Sequence, residues 1–149
     1  MMRNSAKAII KRDDHILVIK KEDAQGAYYI FPGGGQEKFE TLEEAVRREC
    51  LEELDAAVDV HELICIREYI GQHHEFAEFD RDIHQIEFYF LCTISEEHVN
   101  GEPSQPDTDQ IGTEWLPIQH IADYRLYPKA LIQPIQNVTH HPVYLGDVN

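Results

Sequence analysis

The pattern of apolar and polar positions divides the chain into short segments typical of strands and helices. Residues 5–11 and 15–21 are rich in apolar side chains and flank the polar run at residues 12–14. Apolar segments on either side of a polar turn are typical of paired strands, so this region predicts a β-hairpin. Ile9, Ile16 and Val18 are its core candidates.

The rest of the chain alternates in the same way between apolar segments and polar connections. Strands are predicted at residues 57–70 (one strand or a bent pair), 84–94 and 113–116. Short helices are predicted at residues 118–124 and 128–136, and loops at residues 21–27, 71–82 and 95–109. Proline at the first turn supports the second of these helices. The pattern indicates an α/β fold with a mixed sheet, in a single domain over residues 1–149.

Residues 41–54 predict the longest helix. Thr41 and Glu44 have the spacing of a capping box, with Thr41 at the N-cap. At about 100° per residue, an apolar arc runs along the helix, and Glu49 and Glu53 project into the middle of it while Glu52 lies at its edge. The arc consists of Leu42, Ala45, Val46, Cys50 and Leu54. These carboxylates are therefore expected to face the protein.

Glu49, Glu52 and Glu53 follow the i, i+3, i+4 spacing that places side chains on one helical face. Burying unpaired carboxylates costs several kcal/mol each, unless they are protonated, paired or bound to a metal. Clustered hard oxygen ligands suit Mg²⁺ or Mn²⁺. The alternative is an acidic amphipathic helix whose charged face is solvated.

A glycine-rich loop precedes this helix. Residues 28–31 form a short apolar run, and Pro32 and three glycines follow it. Consecutive glycines let the backbone turn sharply and approach a ligand closely. The order of strand, glycine loop and acidic helix resembles the Nudix box, G-x5-E-x7-R-E-U-x-E-E-x-G-U, where U is aliphatic. The matching positions are Gly34, Glu40, Arg48, Glu49, Cys50, Glu52, Glu53 and Ala56.

Two positions depart from the family pattern. Asp55 stands where the box ends in glycine, and we expect a left-handed backbone there because the helix must stop. Asp tolerates that conformation better than most residues do. Phe39 stands where many family members have glycine before the glutamate. We expect Phe39 to pack against the protein, the alternative being that it lines the substrate pocket.

The resemblance implies an α/β/α sandwich and a catalytic role for the box. By resemblance, Glu52 and Glu53 are metal ligands, Glu49 is a ligand or the base that activates water, and Gly34 lends a carbonyl to the metal. Arg48 is implied to orient this group by pairing with a glutamate such as Glu40. The implied cofactor is Mg²⁺ or Mn²⁺.

Residues outside the box complete the predicted site. Glu87 shares one strand face with Gln85 and Tyr89. Nudix enzymes often supply a further carboxylate from outside the box, so Glu87 is a candidate catalytic residue; the alternatives are a solvated side chain or a structural ion pair. Tyr28 and Tyr29 are candidates for stacking on a base, although strand alternation would bury Tyr29 in the core.

The polar loop at residues 71–82 is a further candidate for substrate contact. It contributes Arg81 to the predicted substrate-binding residues, the alternative being an ordinary surface loop.

Charge and cysteine content narrow the function further. The formal net charge is −15, which disfavours nucleic-acid polymers and anionic membranes as partners. A phosphorylated substrate is compatible with this charge only because divalent cations invert it locally. Cys50, Cys65 and Cys92 have neither disulfide nor zinc spacing, and no apolar run reaches the length of a membrane span. We therefore expect a cytoplasmic protein.

The function that the resemblance implies is hydrolysis of a nucleoside diphosphate linked to another moiety, of nucleotide or nucleotide-sugar type. The alternative is a non-catalytic nucleotide-binding or regulatory Nudix domain. Intact Glu49, Glu52 and Glu53 argue against that alternative, since a binding domain has little need of all three. A small-molecule diphosphate is the implied partner, and a homodimer is a further candidate for the assembly.

Overall fold

The computed structural model of the chain describes residues 2–95, 110–137 and 141–149. Most of the loop predicted at residues 95–109 lies outside them. The described strands are β1 (Met2–Arg12), β2 (His15–Asp23), β3 (Gly26–Ile30), β4 (Gly33–Gly35), β5 (Val58–Ile70), β6 (His84–Ile94), β7 (Gln110–Pro117), β8 (Leu126–Tyr127) and β9 (Val143–Asp147). The described α-helices are α1 (Leu42–Leu54), α2 (Ala77–Asp80) and α3 (Ile132–Gln136).

These strands form one mixed sheet in the order β8-β3-β2-β1-β6-β5-β9. β4 pairs with β1 and β7 pairs with β2, outside that path. The pair β1–β6 is parallel, whereas β1–β2 and β5–β6 are antiparallel. The predicted α/β fold with a mixed sheet is confirmed.

The predicted hairpin is confirmed as β1 and β2. Arg12 pairs with His15, which leaves Asp13 and Asp14 as a two-residue loop. Both have positive φ, 48° and 61°. Two consecutive positive φ values are typical of a type I′ turn, whose twist matches that of the flanking strands.

The prediction of a loop at residues 21–27 is wrong. Lys21 pairs with Tyr28, and Glu22 pairs with Ala27, so β2 continues to Asp23 and β3 begins at Gly26. The side chains of this segment are mostly polar, so they show no apolar alternation from which a strand could be predicted. Backbone hydrogen bonds to the neighbouring strand hold it in the sheet instead. The predicted loop at 71–82 contains α2 and a short 3-10 helix, Gly71–His73.

The two predicted short helices are present in modified form. The first is a 3-10 helix, Ile118–Asp123, and the second divides into a 3-10 turn, Lys129–Leu131, followed by α3. No helix in the described ranges combines the length and apolar character that crossing a bilayer requires.

Helix α1 begins at the predicted capping box. The Glu44 backbone N–H donates to the Thr41 side chain, and the Thr41 N–H donates to the Glu44 carboxylate, each at 3.1 Å. The apolar arc packs into one core cluster with residues of β1, β2 and β6. A second cluster, on the other side of the sheet, includes residues of the 3-10 turns and α3. The sheet therefore lies between helical layers, with α1 against one of its faces.

The two departures from the box pattern both have left-handed backbones. Asp55 caps α1 with φ 50° and ψ 41°, as the sequence predicted. Phe39 has φ 73°, and its side chain is 93% exposed. The prediction that Phe39 packs against the protein is therefore wrong; the Lys38 ammonium lies 5.1 Å from the centroid of its ring.

Substitutions at Asp55 should change the stability according to the left-handed backbone. Asp55→Gly should raise the free energy of unfolding by up to about 1 kcal/mol because it removes Cβ strain. Asp55→Val should lower it by more than that, because a β-branched residue resists positive φ. Urea unfolding measures both changes, with Asp55→Asn as a control that should remain near wild type. A valine variant as stable as wild type would contradict the assignment of strain.

Candidate active site

The box residues surround one cleft between β4 and α1, called here the carboxylate cleft. Its lining residues are Arg3, Lys7, Gly33, Gly34, Gly35, Gln36, Glu37, Arg48, Glu49, Glu52 and Glu53. Five predicted site residues therefore meet in this cleft: Gly34, Arg48, Glu49, Glu52 and Glu53. The i, i+3, i+4 spacing on α1 and the antiparallel pairing of β4 with β1 bring them together.

Arg48 organises the carboxylates of the cleft. Its guanidinium donates to both oxygens of Glu40, at 2.7 and 3.1 Å, which is the pairing that the resemblance implied. It also donates to Glu49 at 3.0 Å, to Glu52 at 3.4 Å and to the carbonyl oxygen of Gly35 at 2.9 Å. The hydrogen bond from Arg48 holds the pKa of the Glu40 carboxyl below its usual value.

Glu53 connects helix α1 to strand β4 (Gly33–Gly35), called here the glycine strand. It is one of the few buried carboxylates among the described residues, only 6% exposed, and its Oε1 accepts a 2.7 Å hydrogen bond from the Gly33 backbone N–H. A charge-assisted bond of this kind is stronger than one between neutral groups. The bond therefore fixes the distance between β4 and α1 at the cleft.

A side chain at position 34 would clash with the carboxylate of Glu49. A Cβ on Gly34 would lie 2.6 Å from both Cδ and Oε1 of Glu49. Real Cβ contacts are longer than this, so any other residue would displace the carboxylate. Glycine thus allows the carboxylate of Glu49 to lie directly against the backbone of β4.

The cleft contains oxygen ligands but not a preformed metal centre. Among the described residues, no three His, Cys, Asp or Glu side chains converge as metal ligands. Glu49 and Glu52 do not converge on a common point because Arg48 binds one carboxylate oxygen of each. A cation entering the cleft must therefore compete with the guanidinium for these oxygens.

Glu87 does not line the carboxylate cleft. It is 2% exposed and accepts a 2.6 Å hydrogen bond from Nε of Arg67, which is 7% exposed. Gln85 and the Tyr89 hydroxyl also donate to its carboxylate. Burial raises the pKa of Glu87, but the charges of Lys7 and Arg67 outweigh it and hold the pKa below its usual value. Of the alternatives for Glu87, a structural ion pair is the one that this geometry matches.

A second cleft, called here the aromatic cleft, contains Tyr28. Its lining residues are Lys21, Glu22, Asp23, Tyr28, Ile30, Arg67, Tyr69, Phe76, Phe79, Asp80, Ile83, Gln85, Tyr127 and Asn149. The Tyr28 ring lies 6.0 Å from that of Tyr127 and 6.5 Å from that of Phe76, and Phe79 is 80% exposed. Planar rings around a cavity can receive a nucleobase or another apolar group.

The other two predicted substrate contacts lie elsewhere. Tyr29 is buried in the second core cluster, where its ring meets that of Tyr124 edge-on at 5.8 Å. Arg81 is exposed and lines neither cleft.

Sequence reasoning missed Arg3 and Lys7 in the carboxylate cleft and Phe76, Phe79 and Tyr127 in the aromatic cleft. In the carboxylate cleft the available signal was Lys7, a charged residue inside the apolar run of β1. Phe76 and Phe79 belong to the loop at residues 71–82 that was predicted to contact substrate, although the prediction named Arg81 instead of them. Tyr127 had no local signal, because strand pairing far along the chain brings it to the cleft.

Known proteins share features of the sequence and the fold of this chain. A family model described as NUDIX domain matches residues 1–135. No curated protein matches the chain. Among solved structures, a MutT NUDIX hydrolase from Burkholderia pseudomallei is 27% identical with a TM-score of 0.65, over 93% of this chain and 99% of that one.

Two further structures share the fold at lower identity. An ADP-ribose pyrophosphatase from Streptococcus suis is 17% identical with a TM-score of 0.61, over 95% of this chain and 98% of that one. A UDP-X diphosphatase is 18% identical with a TM-score of 0.66, over 96% of this chain and 67% of that one.

Proposed function

Since this chain belongs to the Nudix family and is a hydrolase of phosphoric anhydride bonds, we propose that it cleaves a nucleoside diphosphate linked to another moiety, with Mg²⁺ or Mn²⁺. The observation that carries the proposal is the carboxylate cleft, where Glu49, Glu52 and Glu53 meet beside a glycine strand. The structures of an ADP-ribose pyrophosphatase and a UDP-X diphosphatase support this substrate class by analogy.

The donor set of the cleft fits a hard divalent cation. Glu52 and Glu53 would supply carboxylate oxygens, the carbonyl of Gly34 would add a further oxygen ligand, and the carboxylate of Glu49 lies beside them in the same cleft. Oxygen ligands of this kind are those that Mg²⁺ and Mn²⁺ prefer. When bound, the cation would neutralise phosphate charge and make the phosphorus more susceptible to attack.

The chain's own residues then supply positioning and proton transfer. Water attacks one phosphorus, the bridging P–O bond breaks, and two phosphate monoesters are released. We assign to Glu49 the acceptance of the proton from the attacking water, since its carboxylate lies in the cleft against Gly34. Arg48 holds Glu49 and Glu52 in place through the hydrogen bonds described above, while Glu40 anchors the guanidinium.

The aromatic cleft is the proposed site for the nucleoside or for the linked moiety. Tyr28 and Tyr127 line it, and Phe79 is exposed at the same cleft. Polar side chains such as Gln85 supply hydrogen bonds that can orient the bound group.

A cytoplasmic location is also part of the proposal. Cys50, Cys65 and Cys92 are all buried free cysteines. Burial raises the pKa of Cys65 and that of Cys92 to about 12, so both remain thiols at neutral pH. Buried unreactive thiols are common in reducing compartments.

A substrate panel with and without metal tests the proposed activity. The purified chain is incubated with ADP-ribose, UDP-glucose and nucleoside triphosphates in Mg²⁺ or Mn²⁺, and the products are separated and quantified by ion-exchange chromatography. We expect turnover of at least one compound, its loss with excess chelator, and its return when metal is restored. Added metal should also raise the Tm, because it binds the folded state preferentially.

The same panel tests the non-catalytic alternative. Calorimetric binding of a nucleotide without turnover in either metal would favour a binding or regulatory domain. Turnover that persists in excess chelator would contradict the metal-dependent mechanism.

A further inference from the structure

Lys7 brings a positive charge into the carboxylate cleft from β1. In the sheet it pairs with Gly33 of β4 on one side and with Tyr89 of β6 on the other. Its side chain is half-buried and lines the cleft together with Glu49 and Glu53. A lysine on a central strand has therefore been placed among the glutamates of α1.

The ammonium group of Lys7 has no bonded counterion in the described part of the chain. It donates no hydrogen bond to those residues, and none of their carboxylate oxygens lies within 4.0 Å of it. Arg48, in the same cleft, binds Glu40, Glu49 and Glu52. Partial burial without a bonded counterion costs a cation part of its hydration, and a ligand that supplies negative charge can offset that cost.

The glycine strand is shaped to admit this side chain. A Cβ on Gly33 would lie 2.7 Å from Cα of Lys7 and 2.9 Å from its Cδ, so the lysine stem lies against the bare backbone of β4. The next glycine, Gly34, makes the same allowance for the carboxylate of Glu49. Neighbouring glycines thus bring a cation and a carboxylate to one short stretch of backbone, where the two do not form an ion pair.

Attraction to Glu87 accounts for only part of the role of Lys7. Its positive charge helps to lower the pKa of Glu87, against the raising effect of burial. The Glu87 carboxylate is nevertheless already bonded to Arg67, Gln85 and Tyr89. The Lys7 ammonium adds no hydrogen bond to that network.

We propose that the Lys7 ammonium binds a non-bridging phosphate oxygen of the diphosphate in the carboxylate cleft. The identity of the ligand rests on the proposed function, and the proposal adds a phosphate-binding residue from outside the box. A divalent cation held by the glutamates would neutralise part of the diphosphate charge, and Lys7 neutralises charge that the cation leaves uncompensated. Arg3 provides a second, exposed cation at the rim, where its Cζ lies 3.2 Å from the position of a Cβ on Gly35.

Charge removal at Lys7 tests the proposal with two readouts. Lys7→Met keeps the aliphatic stem, Lys7→Arg keeps the charge, and Lys11→Met removes an exposed lysine from the same strand as a control. Affinity for inorganic pyrophosphate is measured by calorimetry in Mg²⁺, and kcat and KM are measured on the best substrate of the panel. We expect Lys7→Met to weaken pyrophosphate binding by about 10- to 100-fold, the range for a lost hydrogen bond to a charged group.

The variants should separate phosphate binding from a structural role. Lys7→Met should also raise KM, whereas Lys7→Arg should retain most of the affinity and Lys11→Met all of it. Unchanged pyrophosphate affinity in Lys7→Met, with or without a lower Tm, would overturn the proposal. Pyrophosphate binding can be measured without turnover, so its result is independent of the substrate panel. Absence of wild-type turnover in the panel contradicts the proposed function. Unaltered pyrophosphate binding in Lys7→Met contradicts this inference.

Footprinting of the wild-type chain makes the test independent of how the variants fold. Lysines are acetylated with a limiting amount of acetic anhydride, with and without pyrophosphate, and quantified by mass spectrometry. Pyrophosphate should protect Lys7 and leave Lys11 unaffected. Equal acetylation of Lys7 in both conditions would refute direct contact.

Discussion

Replacing Glu53 by Gln should lower kcat by about 100-fold or more, the cost typical of removing one preorganised electrostatic group from an active site. Gln nearly preserves the shape of the side chain, and its Oε1 can still accept the hydrogen bond from the Gly33 N–H. The variant therefore keeps the link between α1 and β4 but loses one negative charge beside Glu49 and Glu52. Steady-state kinetics at saturating metal measure the effect.

Stability should change little in the same variant. Loss of a buried charge lowers repulsion between the glutamates, whereas the bond to Gly33 becomes weaker because it is no longer charge-assisted. These effects oppose each other, so the free energy of unfolding without metal should remain within about 1 kcal/mol of wild type. Added metal should raise the Tm less than it does in wild type, because one ligand charge is missing.

Glu43→Gln is the matched control for Glu53→Gln. Glu43 lies in the first turn of α1 and forms an exposed pair with Arg47 at 3.7 Å. Surface pairs of this kind contribute little to stability. The control should keep the wild-type kcat and the wild-type response to metal. Wild-type turnover in Glu53→Gln at saturating metal would show that the carboxylates of the cleft have been misassigned.

The carboxylate cleft was largely predictable because its information is local. The capping box sets where α1 begins, and the spacing of Glu49, Glu52 and Glu53 then places them on one face. The glycines lie next to this helix in the chain. Lys7 joins the cleft only through the pairing of β1 with β4, which residue spacing does not encode.

The surroundings of Glu87 depend on contacts between residues far apart in the chain. Strand alternation correctly placed Gln85, Glu87 and Tyr89 together. The ion pair with Arg67 depends on the register of β5 against β6, which shifts between Val60 and Cys65. Such irregularities change which residues face each other, so the partner of Glu87 could not be identified from the sequence.

The break-up of the Arg67–Glu87 pair should have the largest effect on stability. Both side chains are buried, and Arg67 also donates to the carbonyl oxygen of Val148 at 2.8 Å. Glu87→Leu leaves the guanidinium buried without a counterion, and removal of one partner of such a pair costs about 3–5 kcal/mol. Urea unfolding at neutral pH measures this loss, and Glu62→Leu, at an exposed position on β5, should cost far less.

The double variant Arg67→Met/Glu87→Leu distinguishes a coupled pair from two independent losses. Replacing both members of a buried ion pair by apolar residues of similar size is often close to neutral. The double variant should therefore recover much of the stability that Glu87→Leu loses. A loss equal to the sum of the two single losses would contradict coupling between these side chains.

At acidic pH the free energies of unfolding of wild type and Glu87→Leu should become more similar. The pKa of Glu87 is lowered in the folded state from an ordinary value of 4.5, so its contribution is fully present above that pH. The contribution is lost as the pH falls through the folded-state pKa, because the protonated carboxyl no longer pairs with Arg67. The unfolding free energies of wild type and Glu87→Leu, measured from pH 7 downward, should therefore converge as the pH falls. If Glu87→Leu instead keeps wild-type stability and loses most of its kcat, Glu87 is the extra catalytic carboxylate.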